Sequence, residues 1–387
     1  MIHTLFRQLY SVLTSLQVTV YCLVLVLGLL FAATLAQVNH GIYQVQDIYF
    51  QSFFLYMPLP GSSWRIPVLP GGYLLGSILA VNMILSFIRR FQRSFIKTGI
   101  YMVHAGLFLL AAGQVVSDFA TKESRMVINE GASSNYSESL RVPELVLIRT
   151  SDEKTDTVVS FPAKMLRQRR PVGHEQLPFQ VEVLEWLPHS RLLAKETLKG
   201  KPVYDADQGI GRNVFAIPLP ETTKINEVNS PAAYVRLLTD KDVLGTWLVS
   251  NHISTVQTLT YGNESYQIQL RPKRYYKPYT VRLEDFSHDR YPGTDIPKNF
   301  SSKVRLIDPR KNMDRTVLIS MNRPLRYDGD VYYQASFMNN DRTSILQVVR
   351  NVALPVPYVS CTLIGLGLLI HFCFHLTHFL KRRMKTA

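Results

Sequence analysis

Four runs of apolar residues, each long enough to cross a bilayer, limit what this chain can become. They lie at about 17–37, 71–88, 99–117 and 358–379, and a polar stretch with no spanning segment separates the third from the fourth. Hydrocarbon offers no water to backbone N–H and C=O groups, so each run has to fold as a helix. The sequence therefore divides into a three-helix membrane domain at 1–117, a polar region at 118–354, and a last helix with a basic tail at 355–387. A mean hydropathy of +0.02 averages these parts and hides them.

The net charge of +14 would suit a nucleic-acid binder if it formed a patch on the polar region. Instead, nine cations flank the apolar runs without any acid among them: Arg7, Arg89, Arg90, Arg93, Lys97, Lys381, Arg382, Arg383 and Lys385. That arrangement excludes nucleic acid as the partner and predicts topology, because positive flanks stay in the cytoplasm. Both termini and the 89–97 loop are expected inside, with 38–70 and 118–354 on the outer face. The first run has an apolar core near twenty residues, longer than the roughly 7–15 of a cleaved signal, so a retained anchor is expected. Cys22, Cys361 and Cys373 all fall within runs, which leaves the outer region with neither a disulfide framework nor a CxxC redox pair.

The polar region alternates with period two, as half-buried strands do. FQVEVLEW, YQIQLRP, YTVRLED and SKVRLID all show it, and Asp328–Gly329 between PLRY and DVYYQASF reads as a tight hairpin turn. A large, mainly β extracytoplasmic domain follows. Within it, GIG at 209–211 precedes FAIPLPE and not a helix, so a nucleotide loop is excluded. RQRR at 167–170 and RPKR at 271–274 read as solvated faces. The aromatic loop DIYFQSFFLYMPLPGSSWRIPVLP suits a segment at the membrane interface.

The remaining chemistry lies in histidines inside the apolar runs. An imidazole in hydrocarbon needs a partner, a cavity or a ligand. His104 lies seven residues past Lys97, roughly 10 Å into the membrane at helical rise. His371, His375 and His378 form a stripe at i, i+4, i+7, and counting back from Lys381 puts His375 at roughly 9 Å and His371 at roughly 15 Å. A neutral imidazole in an apolar pocket can ligate haem iron, with Gly99, Ala105, Gly106 and Gly113 giving a planar ring room to approach. Alternatively His104 hydrogen-bonds a neighbouring helix, at Asn82 or Ser86. Zinc is disfavoured because the outer histidines His174, His189, His252 and His288 have no Cys or carboxylate at ligand spacing.

Several stretches resemble the ResB-like cytochrome c biogenesis proteins of the system II pathway: LLGSILAVNMILSFIRR, HAGLFLLAAG, and SSKVRLIDPRKNMDRTVLISMNRPLRYDGDVYYQASF followed by GLGLLIHF. The last carries Asn322, Pro324, Leu325, Tyr327, Gly329, Tyr332, Tyr333 and Gln334 in the family's pattern, while about 151–256 is indistinct. The resemblance implies a bacterial inner-membrane subunit that works beside a CcsA-type haem-handling partner, moves haem b across the membrane and presents it to apocytochrome c. Thiol-reducing proteins of the same pathway would prepare the apocytochrome. His104 stands where the family has an axial ligand to haem iron, and the second ligand would then come from the partner. Cofactor-binding candidates are therefore His104, His375 and His371, the last two from their position alone. Trp64, Trp186 and Trp247 are isolated, so the resemblance puts the outer haem-handling site on another polypeptide. No nucleophile with an adjacent base is recognisable, which points to a non-catalytic subunit. Rival readings are a permease-like subunit of a lipid or lipoprotein exporter, and a transmembrane sensor or scaffold.

Overall fold

Two compact units divide the chain in a computed structural model that describes residues 2–59, 61–62, 64–92, 94–150, 155–197, 204–222, 228–294, 297–339 and 342–386. Arg93, one of the nine flanking cations, falls outside those residues.

The helical unit contains the four apolar runs as helices long and apolar enough to cross a membrane. These are α2 (Leu16–Ala36), α4 (Gly72–Arg90), α5 (Thr98–Ala120) and α7 (Val356–Thr386). One helix precedes them that the hydropathy scan passes over, α1 (Ile2–Leu13). Its sequence puts Leu9 and Val12 on one face against Thr4, Arg7, Gln8 and Ser11, the pattern of a helix lying in an interface plane. Thr14 breaks the path by bonding its hydroxyl back to the Tyr10 carbonyl at 2.8 Å, and Ser15 caps α2 by accepting from the Gln17 N–H. The aromatic loop is more ordered than its composition suggests. A short helix α3 (Ile42–Val45) and one π turn lead into a hairpin of β1 (Phe54–Pro58) and β2 (Arg65–Pro70).

The second unit is built on strands, as the alternation predicts. Its elements are β3 (Lys122–Asn129), β4 (Ser133–Thr150), β5 (Asp156–Pro162), the one-turn helix α6 (Ala163–Leu166), β6 (Gln180–Leu187), β7 (Ser190–Ala194), β8 (Val214–Pro218), β9 (Ala232–Leu238) and β10 (Val243–Ser250). There follow β11 (Gln257–Tyr261), β12 (Glu264–Arg290), β13 (Pro297–Asp308), β14 (Met313–Ser320), β15 (Leu325–Tyr327), β16 (Asp330–Met338) and β17 (Thr343–Arg350). Every pairing between these strands is antiparallel, and most of them join one large sheet ordered β14-β13-β12-β4-β3-β17-β16-β15. The predicted turn is present: Asp328 and Gly329 both take positive φ, +52° and +82°, the paired left-handed geometry of a two-residue hairpin.

Two hydrophobic cores form because β12 is long enough to serve both. Tyr266, Ile268 and Leu270 pack with Leu145, Val183, Val235 and Trp247. Beyond the bend at Tyr276, Tyr279, Val281, Leu283 and Phe286 join Met126, Val304, Ile319 and Leu346. Period-two alternation in one strand thus feeds a different core at each end.

Candidate functional site

In the helical unit, α5 packs on α7 through glycines. Gly99, Gly106 and Gly113 recur every seven residues and form one stripe. A Cβ on Gly99 would fall 2.5 Å from the Gly367 carbonyl and 2.6 Å from the His371 nitrogen; on Gly106, 2.6 Å from Ile364 Cγ1 and 2.9 Å from the Ser360 carbonyl. Gly113 meets Val356, and Gly367 returns the contact to Gly99. These glycines were expected to admit a macrocycle. They instead let two backbones touch, as small residues do where lipid supplies no hydrophobic drive. Ala105 is exposed beside them.

The same contacts set the register, and it corrects the depth match between His104 and His375. Gly99 faces His371, so His371 lies five residues from the level of His104, roughly 8 Å along the axis. His375 lies a further turn away, roughly 6 Å more. Counting inward from Lys97 and from Lys381 gave similar depths only if both lysines shared a plane. Because α7 continues as helix to Thr386, they do not.

Between the α5–α7 pair and the α2–α4 pair lies a cavity of about 960 Å³, lined by His104, His371, His375, Arg90, Lys97 and Tyr101 together with apolar side chains of α2, α4 and α5. His104 is half-buried, and its Nδ1 is 2.8 Å from the Ile100 carbonyl. A carbonyl only accepts, so Nδ1 carries the hydrogen and Nε2 keeps its lone pair. The Phe87 ring centroid lies 6.0 Å from that of His104. Asn82 and Ser86 are committed elsewhere: Asn82 accepts from Thr19 Oγ1 at 2.6 Å and donates to the Leu13 and Ser15 carbonyls, and Ser86 donates to the Thr14 carbonyl. The reading of His104 as a partner to either is set aside. His371 has a buried Nδ1 with no hydrogen-bond partner, and its ring stacks edge-on against His375 at 4.4 Å. His375 and His378 are exposed. Among the described residues, no carboxylate lines the cavity.

The β-rich unit absorbs its polar motif residues into its own interior. Tyr327 and Tyr332 are 9% and 0% exposed, so the YDGDVYYQASF aromatics are mainly packing and not a contact surface. Tyr327 donates to Asp308 at 2.8 Å, and Lys277 donates to Asp330 at 2.7 Å. The Tyr279 and Tyr332 hydroxyls meet at 2.7 Å. Hydrogen bonds from Arg310, then from Tyr327, hold the Asp308 carboxyl well below the usual carboxylate range, and burial pushes the Tyr279 phenol up. Arg271, read as solvated, is buried against Glu144 at 3.0 Å, and Arg274 pairs with Glu138 over the Tyr136 ring. Alternation hid this because the partners are 127 residues apart. Among the described residues, no three His, Cys, Asp or Glu side chains gather as a protein-only metal site.

Residues 242–345 match the ResB-like family. Protein NrfI of Wolinella succinogenes is 31% identical over 121 residues, a segment that is 31% of this chain and 13% of that protein. The chain thus aligns with about an eighth of that relative's length. The resemblance to the ResB-like family seen in the sequence is shown on this stretch, and four apolar helices flanking a large β-rich region accord with it.

Proposed function

We propose that this chain is a haem-handling membrane subunit of cytochrome c maturation, which takes up haem b in the helical cavity and acts with a CcsA-type partner to present it to apocytochrome c. The observation that carries the reading is His104, held by Ile100 with Nε2 free, on the wall of an apolar cavity rimmed by Arg90 and Lys97 and lined by no described carboxylate. About 960 Å³ is at the upper end of the volumes that small-molecule sites use, enough for a macrocycle. Cations at the cavity wall favour an anionic occupant, and haem carries two propionates. Haem brings the reactive vinyl groups and iron; every other contribution is the protein's.

In this reading the flanking cations put the Arg90 and Lys97 end of the cavity at the cytoplasmic face and the β-rich unit outside. Arg90 and Lys97 would hold the carboxylates of the bound group at the mouth. Ile100 fixes the tautomer of His104, and Phe87 limits its rotation. The apolar walls exclude water from around the imidazole. In this reading the chain holds and orients while thioether formation takes place beyond it.

His104→Gly tests this directly in the purified full-length complex. Deleting a polar group from lipid does not harm insertion, so yield should hold while the haem absorbance band disappears, and added imidazole should restore it. A variant that keeps its haem would sink the proposal.

A further inference from the structure

A cavity of about 250 Å³ in the β-rich unit has a charge that its own residues leave unbalanced. Lys122 of β3 and Arg350 of β17 line it together with Lys277 of β12 and Asp330 of β16. We propose that this cavity binds a phosphate group, that of an anionic phospholipid headgroup at the outer face of the membrane. The inference is independent of the haem reading and shares with it only the topology that the flanking cations imply.

Strand register creates the charge. In the β3–β17 ladder Lys122 pairs directly with Arg350, and two residues along Ser124 pairs with Val348. Residues opposite one another in an antiparallel pair share a face, as do residues two apart, and all four line the cavity. Like charges so placed have Cβ atoms roughly 4.5–5.5 Å apart and repel. The fold offers little to offset them. Among the described residues, no carboxylate pairs with Lys122. Arg350 lies 3.9 Å from Asp330 Oδ1 and 3.4 Å from the Asp328 carbonyl, both longer than a good charge-assisted contact. Asp330 is engaged elsewhere, since its Oδ2 accepts from Lys277 at 2.7 Å and from the Tyr279 hydroxyl at 3.1 Å. The buried cation is therefore neutralised by the buried carboxylate, while the two outer cations face each other. An anion between them would close the balance.

The cations come from three different strands, so they can meet oxygens that point in several directions. A phosphate offers such oxygens, whereas a carboxylate offers two in one plane. Tyrosines complete the wall. Tyr276 is 55% exposed and its ring centroid lies 5.7 Å from that of Tyr136, which carries the Arg274 guanidinium 4.1 Å above it. Exposed tyrosines are enriched at the headgroup level of a bilayer. Chain length favours lipid as the source of the phosphate. Lys122 follows Ala120, the last residue of α5, by two positions, and Arg350 precedes Val356, the first of α7, by six. At no more than about 3.6 Å per residue, Lys122 stays within about 7 Å of the end of a spanning helix. The polar layer on each side of a bilayer is roughly 5–8 Å thick. A free ion would need no such tether.

The full-length protein in phosphatidylcholine nanodiscs, photolabelled with phosphatidylglycerol that carries its reactive group beside the phosphate, provides the test. Peptide mapping should find label at 275–277, with label on the basic tail at 381–384 as an internal reference on the other face. Arg350→Gln should weaken labelling at 275–277 about tenfold and leave the tail unchanged. Lys122→Glu should abolish it while raising the thermal midpoint, because repulsion across the ladder becomes attraction, a gain that a damaged fold could not mimic. Equal labelling at 275–277 in wild type and both variants, or equal labelling by a phosphatidylcholine probe, overturns the site. Displacement of the label by inorganic phosphate but not by unlabelled phosphatidylglycerol overturns the lipid assignment in favour of the free ion. Labelling is read whether or not haem is bound, so failure of the haem reading leaves each of these outcomes standing.

Discussion

The two units treat charge in opposite ways. In the β-rich unit the buried charged residues meet opposites: Glu144 with Arg271, Asp308 with Arg310, and Asp330 with Lys277. In the helical unit Arg90, Lys97 and three imidazoles surround a cavity that no described carboxylate lines. A paired buried charge is satisfied by the fold and needs nothing more, although removing one partner strands the other. Unpaired cations around a void are left for something that the fold does not contain. The contrast separates residues that the fold pairs from residues that it leaves without an opposite charge, and it does so without reference to any relative.

The largest effect should come from breaking a pair. Glu144→Gln leaves the Arg271 guanidinium buried at 7% exposure with its charge uncompensated, and should cost the β-rich unit about 3–5 kcal/mol in denaturant unfolding of the whole protein. A loss under about 1 kcal/mol would mean that water reaches the pair, and the contrast between the units would weaken.

An intermediate effect is expected at Asn82, a buried amide of the helical unit that is satisfied by neighbours. Asn82→Leu removes its bonds to Thr19, Leu13 and Ser15 but leaves no buried charge. Interhelical hydrogen bonds in membranes are worth about 0.6 kcal/mol on average and at most about 1.7, so the thermal midpoint in detergent should fall slightly. A fall as large as that of Glu144→Gln would place Asn82 among the residues on which the fold depends.

The smallest stability change is predicted for Arg90→Gln, within about 0.5 kcal/mol of wild type, because no ion pair is lost. Haem retention on dialysis should nevertheless decline. Unchanged retention would show that this cation marks topology only, and an unstable variant would show that it is structural after all.

Much of this was legible in the sequence, and the parts that were not have a common cause. Hydropathy alone locates α2, α4, α5 and α7, because a bilayer imposes length and composition on each helix separately. Alternation finds the strands, and Asp328–Gly329 finds a hairpin, because both signals are local. The helix α1 escaped because an amphipathic face has low mean hydropathy. His104 could be picked out as an ionisable group in an apolar run, but its orientation by Ile100 could not. The register of α5 on α7 depends on which glycine meets which carbonyl, and no count from a flanking lysine contains that. Arg271 looked solvated for the same reason: Glu144 is distant in sequence and adjacent only once β4 and β12 pair.

The closing strand of the large sheet has a consequence in time. β3 is the first strand of its unit to leave the ribosome, yet its long-range partner is β17, register Lys122 with Arg350, and it touches β4 at a single bridge. About 200 residues must be made between them, which at 5–20 residues per second takes on the order of ten to forty seconds. For that interval an emerging β3 has an open edge, and the loop that will close on it is among the slowest kinds of contact to form. Biogenesis of this protein should therefore depend on chaperones that shield nascent strands, and truncation anywhere before β17 should leave an aggregation-prone chain rather than a smaller folded one.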